Sequence, residues 1–394
     1  MTDSFRQGII ALINSALCGK AISLPDDFDI VKTAEYAKKN ELVGLIYYGA
    51  VNCGVDASSP SMQELFNQTC RFLMISERQV FTVEQVCKAF DENGIDYMPV
   101  KGTLMKNLYP KPDMRVMGDA DILIKVDQYD KIAPVMEELG FSQVFESDHE
   151  IAWRKPELFV ELHKRLIPSY NNDYFAYYGD GWQLGRPCDN RPCRFEMSDE
   201  DQMIYLFTHF AKHYRDGGIG VRHLVDLYVY SRAKTEMNAE YLKTELGKLQ
   251  LFEFYENIMN TLSVWFDGAK GDQKTEMITD TIFGSGIYGI RENHIAFEGI
   301  KDLKATNSAE GARRKRWLRI VFLPYKNMCQ KYPFLEKFPF LLPIMWVVRW
   351  ISTLLFKQDK IKKQQDDMKN LTADKIVTYQ QQLNFVGLDF NFKE

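Results

Sequence analysis

Residues 95–124, IDYMPVKGTLMKNLYPKPDMRVMGDADILI, contain the change of pattern that decides the fold. Before Gly94 the apolar residues recur at helical spacing, whereas IDYMPV is a short apolar run of the kind that forms a buried strand. GTLMKNLY then fits a short helix, PKPD a turn, and DADILIKV a second strand with alternating inward positions. A mixed α/β unit is therefore predicted to begin near residue 94.

The regions on either side of this stretch complete the predicted architecture. A helix is expected over residues 127–139, followed by three strands in FSQVFES, HEIAWRK and LFVELHKRL. After a loop at residues 186–192, Ser198 is predicted to cap a helix, and most of the remaining chain has helical periodicity. We predict an α+β fold with a small mixed β-sheet core between N-terminal and C-terminal helical regions.

Composition limits the class of protein and of partner. The chain has 394 residues, 45% hydrophobic and 26% charged, which is enough for two or three domains with buried cores. Its net charge of -5 does not indicate nucleic acid as a partner. Seven cysteines form no paired framework and the first 20 residues do not resemble a signal peptide, so a cytoplasmic location is expected.

Three carboxylates form the candidate chemical centre. Asp119 and Asp121 are two positions apart on a predicted strand, so they share one face while Ala120 and Ile122 occupy the other. Two like charges in one small volume are stabilised by a divalent cation between them. Glu161, in FVELH on a later strand, can add a third carboxylate at the same sheet edge. Three oxygen ligands of this kind favour Mg²⁺ or Mn²⁺.

A candidate phosphate site lies upstream, where VKGTLMKNLY passes from a strand into a helix. Gly102 permits close approach of a ligand, and the main-chain N–H groups at a helix start attract phosphate. The hydroxyl of Thr103 would add a donor.

These residues together resemble the nucleotidyltransferase superfamily that includes DNA polymerase beta and the antibiotic nucleotidyltransferases. More closely, residues 95–165 resemble the bacterial uncharacterised nucleotidyltransferase family, which has a Lys-Gly, a Leu-Tyr-Pro, an Arg and a Gly-Asp-x-Asp in this order. Thr103 replaces the expected Ser or Gly, and the gap from Thr103 to Asp119 is longer than in antibiotic-modifying members. The resemblance implies a nucleotidyltransferase core at residues 94–197, between helical regions at 1–93 and 198–394.

The resemblance also implies an activity. An acceptor hydroxyl would attack the α-phosphate of a nucleoside triphosphate in line, and pyrophosphate would leave. Asp119 and Asp121 would each contact two metal ions, with Glu161 on the ion nearer the nucleophile. The acceptor is not identified. Two alternatives remain at this point: a regulatory protein that binds nucleotides without turnover, and a membrane-surface enzyme of envelope or natural-product biosynthesis.

Lys101 and Arg115 are the candidates for additional phosphate contacts. Lys101 can instead be a solvated lysine at a strand end, and Arg115 can instead form a structural ion pair with Asp113. His163 shares a face with Glu161 and is either a base or neighbouring group of the site or a structural histidine.

Two further interpretations concern histidines after the predicted core. Cys188, Cys193, His209 and His213 have the spacing C-x4-C-x15-H-x3-H, which is close to that of a zinc finger, although core packing of the two histidines is favoured. By analogy with similar folds, the helices after the core can also complete an acceptor site. The acceptor-side candidates are His163, His209, His213, Arg222 and Asp226, with Asp226 as a candidate general base.

Residues 338–356, FPFLLPIMWVVRWISTLLF, form the most apolar segment and are followed by the basic run KQDKIKK. Two prolines and Arg349 interrupt the segment, so a buried C-terminal helix is favoured. An interfacial membrane helix and a membrane span are the alternatives, and residues 338–363 are therefore the candidate peripheral membrane contact.

Overall fold

The computed structural model describes residues 1–156, 158–169, 171–286, 289–306, 309–356 and 373–388. It divides into two compact units, which we describe separately. The first unit comprises Met1–Tyr214, Ile219–Tyr288 and Val386–Glu394, and the second comprises Arg215–Gly218 and Gly289–Phe385.

The described part of the first unit contains the sheet and twelve α-helices. The helices are α1 (Asp3–Cys18), α2 (Ile30–Lys39), α3 (Val43–Asn52), α4 (Pro60–Glu92), α5 (Gly102–Met105), α6 (Tyr129–Glu138), α7 (Asn172–Tyr178), α8 (Asp199–Asp216), α9 (Val221–Ala233), α10 (Ala239–Lys248), α11 (Phe252–Phe266) and α12 (Gln273–Ser285). The last two residues of α8 belong to the second unit. The predicted cap of α8 is present, because Ser198 Oγ accepts a hydrogen bond from the Asp201 main-chain N–H at 3.1 Å.

The seven strands form one mixed sheet. They are β1 (Tyr97–Val100), β2 (Ala120–Ile124), β3 (Ser142–Glu146), β4 (Glu150–Lys155), β5 (Leu158–His163), β6 (Arg186–Cys188) and β7 (Arg191–Glu196), in the order β3-β4-β5-β2-β1-β7-β6. The pairs β2–β5 and β1–β7 are parallel, and the other neighbours are antiparallel. The predicted α+β class, with a small mixed sheet flanked by helices, is confirmed.

One face of the sheet packs on α4 and α6. Ala120, Ile122 and Ile124 of β2 belong to a buried apolar cluster with side chains of these two helices. Because strand side chains alternate between faces, Asp121 projects from the opposite face. The period-two pattern read from the sequence is thus the reason that the carboxylates lie outside the apolar core.

The prediction of a loop at residues 186–192 is wrong. These residues form most of a hairpin, β6–β7, in which Asp189 and Asn190 are the two turn residues between the register partners Cys188 and Arg191. Proline in each strand, at positions 187 and 192, opposed a strand prediction. Pro187 is accommodated because β6 is an edge strand, and Pro192 is accommodated because it lies outside the register pairs that β7 makes with β1 and β6.

The described part of the second unit is helical, with α13 (Arg291–Thr306), α14 (Ala309–Val321), α15 (Tyr325–Lys331), α16 (Leu342–Phe356) and α17 (Ala373–Phe385). One side of α16 contacts the end of α14 and the chain after it. Trp350 Nε1 donates to the Val321 carbonyl at 2.7 Å, and Trp346 Nε1 donates to the Leu323 carbonyl at 2.9 Å.

The other side of α16 is exposed, so the prediction of a buried helix over residues 338–356 is wrong. Ile344, Val347, Val348 and Ile351 are between 43% and 59% exposed. The composition is apolar on both sides of the helix and therefore did not show which side is packed. Residues 357–363 of the candidate membrane segment lie outside the described residues. None of the described helices combines the length and the apolar character needed to cross a membrane.

Candidate active site

A cavity of about 580 Å³ lies in the first unit, beside the sheet face that carries Asp121. Its walls come from β2, β5, the turn after β1, and helices α8 and α9. The predicted site residues that line it are Lys101, Gly102, Arg115, Asp119, Asp121, Glu161, His163, His209, His213, Arg222 and Asp226. Of the predicted set, Thr103 alone is not in the wall.

Asp121 and Glu161 are register partners in the parallel pair β2–β5. Their carboxylates and the ring of His163 each offer one atom to a group in which all atoms lie within 4.8 Å of one another. Asp119 directly precedes β2 and lines the same cavity. The three predicted carboxylates therefore face one volume, and parallel pairing of two strands that are separate in sequence brings them there.

Asp121 is held by two nitrogen donors on the same oxygen. Lys101 Nζ donates to Asp121 Oδ1 at 2.9 Å, and His163 Nε2 lies 2.7 Å from that oxygen. Burial alone would raise the pKa of Asp121, but Lys101 and His163 outweigh burial and hold the pKa well below its usual value. Asp121 is thus an ionised carboxylate with Oδ2 left for another ligand.

Lys101 is neither solvated nor a free phosphate contact. Its side chain is 16% exposed and its Nζ is bound to Asp121. Burial would lower the pKa of Lys101, but the Asp121 carboxylate raises it above the usual lysine value. The main chain of Lys101 has φ of 50°, which is uncommon for a residue with a side chain, so the turn after β1 stores strain at this position.

Three carboxylates of the cavity have no lysine or arginine partner within the described part of the chain. Among the described residues, no lysine or arginine lies within ion-pair distance of Asp119, Glu150 or Glu161. Burial and then the charge of Asp121 raise the pKa of Glu161 to about 8, and the same two causes raise the pKa of Asp119. The donor set is an oxygen-rich cluster of carboxyl groups that raise one another's pKa, and it fits a divalent cation such as Mg²⁺ or Mn²⁺.

Arg115 forms a buried pair with Asp226, not with Asp113. Arg115 Nε donates to Asp226 Oδ1 at 2.9 Å and Nη2 donates to Oδ2 at 3.1 Å. Tyr109 adds a third donor to this carboxylate at 2.7 Å, whereas Asp113 accepts from Tyr48. The alternative pairing of Arg115 with Asp113 is wrong because the partner lies on a helix distant in sequence.

This pair also changes the interpretation of Asp226 as a base. Burial would raise the pKa of Asp226, but the Arg115 guanidinium outweighs burial and lowers it. A carboxylate bound by three donors is a weak base. Asp226 therefore has the contacts of a structural anchor for Arg115, and the predicted role of general base is not supported by its surroundings.

Gly102 is close to the same guanidinium, whereas Thr103 points away from the cavity. A Cβ atom at Gly102 would lie 3.2 Å from Arg115 Nη1, so the absence of a side chain permits this approach. Thr103 Oγ1 is buried and has no hydrogen-bond partner within the described part of the chain. Thr103 thus lies outside the wall of the cavity, and its role as a phosphate donor stays a prediction.

Five of the six histidines of the chain line the cavity: His149, His163, His209, His213 and His223. The rings of His209 and His213 are 4.5 Å apart on α8. Burial lowers the pKa of His209 well below its usual value and that of His149 to about 2, so both rings are neutral. His209 and His213 are partly buried, in keeping with the core packing that the sequence favoured, but they also line the cavity.

The zinc-finger spacing does not correspond to a site. In the described ranges, the clusters of three or more ligating side chains contain neither Cys188 nor Cys193. These two cysteines lie in the β6–β7 hairpin, whereas the two histidines line the cavity. The spacing along the sequence resembles that of a zinc finger, but the cysteine pair and the histidine pair lie in different parts of the fold.

Arg222 connects α9 to two loops of the cavity wall. Its Nη1 pairs with Glu41 and donates to the Val116 carbonyl at 3.2 Å. Sequence reasoning missed several residues of the wall, including Glu41, His149, Glu150, Lys212 and His223. For His149 and Glu150 a signal existed, because they stand at the start of the predicted strand HEIAWRK and Glu150 pairs in register with His163.

The mixed sheet, with Asp119 and Asp121 at the start of a strand parallel to the strand of Glu161 beside a polar cavity, agrees with the nucleotidyltransferase class that the resemblance implied. Within this class, residues 26–267 match the family described as "Uncharacterised nucleotidyltransferase", and the chain belongs to that family. No curated protein matches the chain. Among solved structures, the chain is similar to the solution structure of the antibiotic-resistance factor ANT(2'')-Ia, with 13% identity over 44% of this chain and 91% of that one, and a TM-score of 0.33.

Proposed function

We propose that the protein transfers a nucleoside monophosphate from a nucleoside triphosphate to an acceptor hydroxyl, with Asp119, Asp121 and Glu161 holding Mg²⁺ or Mn²⁺. One observation carries the proposal: Asp121 and Glu161 are register partners beside Asp119 in one cavity, and neither Glu161 nor Asp119 has a cationic partner among the described residues. Membership of a nucleotidyltransferase family supports the class of reaction.

The residues around Asp121 prepare it for this role. Lys101 and His163 both occupy Oδ1, so the orientation of the carboxylate is fixed before a ligand arrives. The bound ions would supply electrostatic stabilisation of the attacking and leaving oxygens. Lys101 is accordingly a positioning residue for Asp121, and its proximity to the cavity also places a positive charge near an incoming triphosphate.

Arg115 contributes indirectly. Two of its three nitrogens are bound to Asp226, and Nη1 makes only a 3.5 Å contact with the Gly102 carbonyl. We infer that the Arg115–Asp226 pair holds the turn at Gly102 in place. The main chain of this turn would then face the nucleotide.

The acceptor side is formed by α8 and α9. His209 and His213 lie in the cavity wall as polar rings, and His209 is neutral because burial lowers its pKa. A neutral imidazole both donates and accepts a hydrogen bond, so it suits a hydroxyl group. Most of the lining residues carry a charged or imidazole side chain, and this favours a hydrophilic acceptor.

The experiment that tests this proposal is transfer of label from α-phosphate-labelled ATP, CTP, GTP and UTP in a host-cell extract with Mg²⁺ or Mn²⁺. The test variant is Asp119→Asn, because Asp119 has no ion pair in the described structure and its replacement breaks no cationic contact. The matched control is Asp127→Asn, an exposed position soon after β2.

We expect a labelled product with wild type and Asp127→Asn but not with Asp119→Asn. The chemical nature of the labelled species then gives the acceptor class. Binding of a metal nucleotide without any labelled product would contradict catalysis and would support a regulatory protein that binds nucleotides without turnover. Equal labelling by all three proteins would contradict the assignment of Asp119.

A peripheral contact with membranes is a second, independent proposal. It is supported by the exposed apolar side of α16, where Ile344, Val347, Val348 and Ile351 recur at helical spacing. Sedimentation with anionic liposomes tests it, with the double variant Val347→Ser/Ile351→Ser as the comparison. Loss of co-sedimentation in the variant is expected, and no binding by wild type would refute the proposal.

A further inference from the structure

A second group of ligating side chains lies in the cavity wall, beside the acid set. It consists of His149, Glu150 and His163, whose nitrogen and oxygen atoms all lie within 4.8 Å of one another. His149 Nε2 is 3.7 Å from Glu150 Oε2, and His163 Nδ1 is 3.8 Å from the same oxygen. Two imidazoles therefore converge on one carboxylate.

His163 has the orientation of a metal ligand. Its ring is 1% exposed, and Nδ1 is buried without a hydrogen-bond partner in the described ranges. A carboxylate oxygen accepts hydrogen bonds, and Asp121 Oδ1 already accepts one from Lys101, so His163 Nε2 is the donor in the 2.7 Å contact with this oxygen. A neutral imidazole that donates through Nε2 presents a lone pair at Nδ1. Metal-binding histidines typically donate their other N–H to a carboxylate in this way.

The spacing of the group is close to that of a filled site. Two ligands bonded at about 2.0 to 2.1 Å to a tetrahedral ion are roughly 3.3 to 3.4 Å apart. The two N–O separations of 3.7 and 3.8 Å thus require shifts of only a few tenths of an ångström, and the two ring nitrogens lie within 4.8 Å of each other. The scaffold is fixed, because Glu150 and His163 are register partners in the antiparallel pair β4–β5.

We propose that His149, Glu150 and His163 bind one Zn²⁺ ion, at a site distinct from the acid set proposed to hold Mg²⁺ or Mn²⁺. Two imidazoles and one carboxylate favour zinc over magnesium, which prefers oxygen ligands. Three protein ligands leave the remaining position open toward the cavity, as in zinc sites that accept water or a ligand. The proposal does not depend on nucleotidyl transfer.

The site also has a consequence for Asp121. An ion on His163 Nδ1 fixes the proton on Nε2, so the hydrogen bond to Asp121 Oδ1 is retained. His163 is therefore a shared residue: it ligates zinc through one nitrogen and positions Asp121 through the other.

The test is a Zn²⁺ titration of the chelator-treated full-length chain in excess Mg²⁺, by competition with a chromophoric chelator. We expect one Zn²⁺ per chain, and a loss of at least about 100-fold in affinity for both His149→Gln and Glu150→Gln. Asp119→Asn lines the same cavity but lies outside the group and should retain the wild-type affinity. Circular dichroism of each variant without metal reports whether it is folded.

The free cysteines supply the competing explanation, so Cys188→Ser/Cys193→Ser is the second control. Substitution with Co²⁺ should give visible ligand-field bands without a thiolate charge-transfer band in wild type and in this double variant. Absence of stoichiometric Zn²⁺ binding by wild type, or unchanged affinity in folded His149→Gln and Glu150→Gln, would overturn the proposal. Loss of binding in the cysteine variant alone would place zinc elsewhere and would also overturn it.

Discussion

Arg115 and Asp226, 111 positions apart in the sequence, form a bidentate buried ion pair with N–O distances of 2.9 and 3.1 Å. The pair joins the segment before β2 to α9, and so it connects the acid-bearing strand to the helical wall of the cavity. Both side chains are only 9% exposed. The Arg115–Asp226 pair therefore stabilises the fold, and an experiment can distinguish this role from a direct contact with phosphate.

Arg115→Met should lower the free energy of unfolding by about 3 to 5 kcal/mol, because it leaves the Asp226 carboxylate buried without its counter-ion. The double variant Arg115→Met/Asp226→Leu should recover most of this loss, since no buried charge remains. Urea denaturation followed by circular dichroism measures both. A stable Arg115→Met protein with weakened nucleotide binding would instead show a direct phosphate contact.

Glu161→Gln should keep the fold and reduce transfer at least about 100-fold, equivalent to about 2.7 kcal/mol in the barrier. Glutamine resembles the protonated carboxyl that the raised pKa of Glu161 already favours near neutral pH, so the substitution costs little stability. Steady-state transfer rates and a thermal melt give the two quantities. Glu138→Gln, at an exposed position of α6, is the matched control and should change neither the transfer rate nor the melting temperature.

Divalent-ion affinity should rise with pH up to about 8, because burial and then the Asp121 charge raise the pKa of Glu161 to about 8. Below this pH an incoming ion must displace the proton, so affinity increases by up to about tenfold per pH unit and then levels off. Titration with Mn²⁺ between pH 6 and 9 measures this. The slope should be reduced in Glu161→Gln, and an equal slope in both proteins would assign the proton to another group.

The raised pKa of Glu161 has the opposite effect on the stability of the metal-free protein, which decreases as pH rises. Between the ordinary glutamate value of 4.5 and about 8, the folded state binds more protons at Glu161 than the unfolded state does. The contribution of Glu161 to stability is therefore present at low pH and is lost as pH rises through this window.

Stability at alkaline pH gives an independent test of the burial of the Lys106 charge. Burial, and then the charge of Arg115, lower the pKa of this lysine from 10.5 to about 8. The unfolded state therefore binds more protons between pH 8 and 10.5, and the contribution of Lys106 to stability rises with pH in that window. Lys106→Met should be more stable than wild type at pH 7, with a difference that shrinks from pH 8 to 10.5. Melting temperatures across this range measure it, and a constant difference would contradict the burial of the charge.

The sequence predicted the parts of the site that depend on local period. Asp119 and Asp121 share a face because strand side chains alternate, and the strands of residues 97–163 were all predicted. That Glu161 pairs with Asp121 required strand order, which local pattern does not contain. The resemblance of the motifs led us to expect Glu161 beside Asp121, and the parallel pairing of β2 with β5 is the physical reason that they are adjacent.

Long-range pairing explains the residues that were interpreted wrongly. The partner of Arg115 was sought nearby at Asp113, whereas three-dimensional packing supplies Asp226 from α9. His149 and Glu150 were missed because the predicted strand HEIAWRK did not show that Glu150 aligns with His163 on β5. The prolines of the β6–β7 hairpin concealed two strands, and of these only β7 also has a distant partner, β1.

The measurement that tests the central claim most directly is anomalous diffraction from crystals grown with Mn²⁺ and a non-hydrolysable nucleoside triphosphate analogue. We predict Mn²⁺ peaks within bonding distance of Asp119, Asp121 and Glu161, with phosphate oxygens completing their coordination. A nucleotide bound in the cavity with no Mn²⁺ at these three carboxylates, or Mn²⁺ held only at other side chains, would contradict the account.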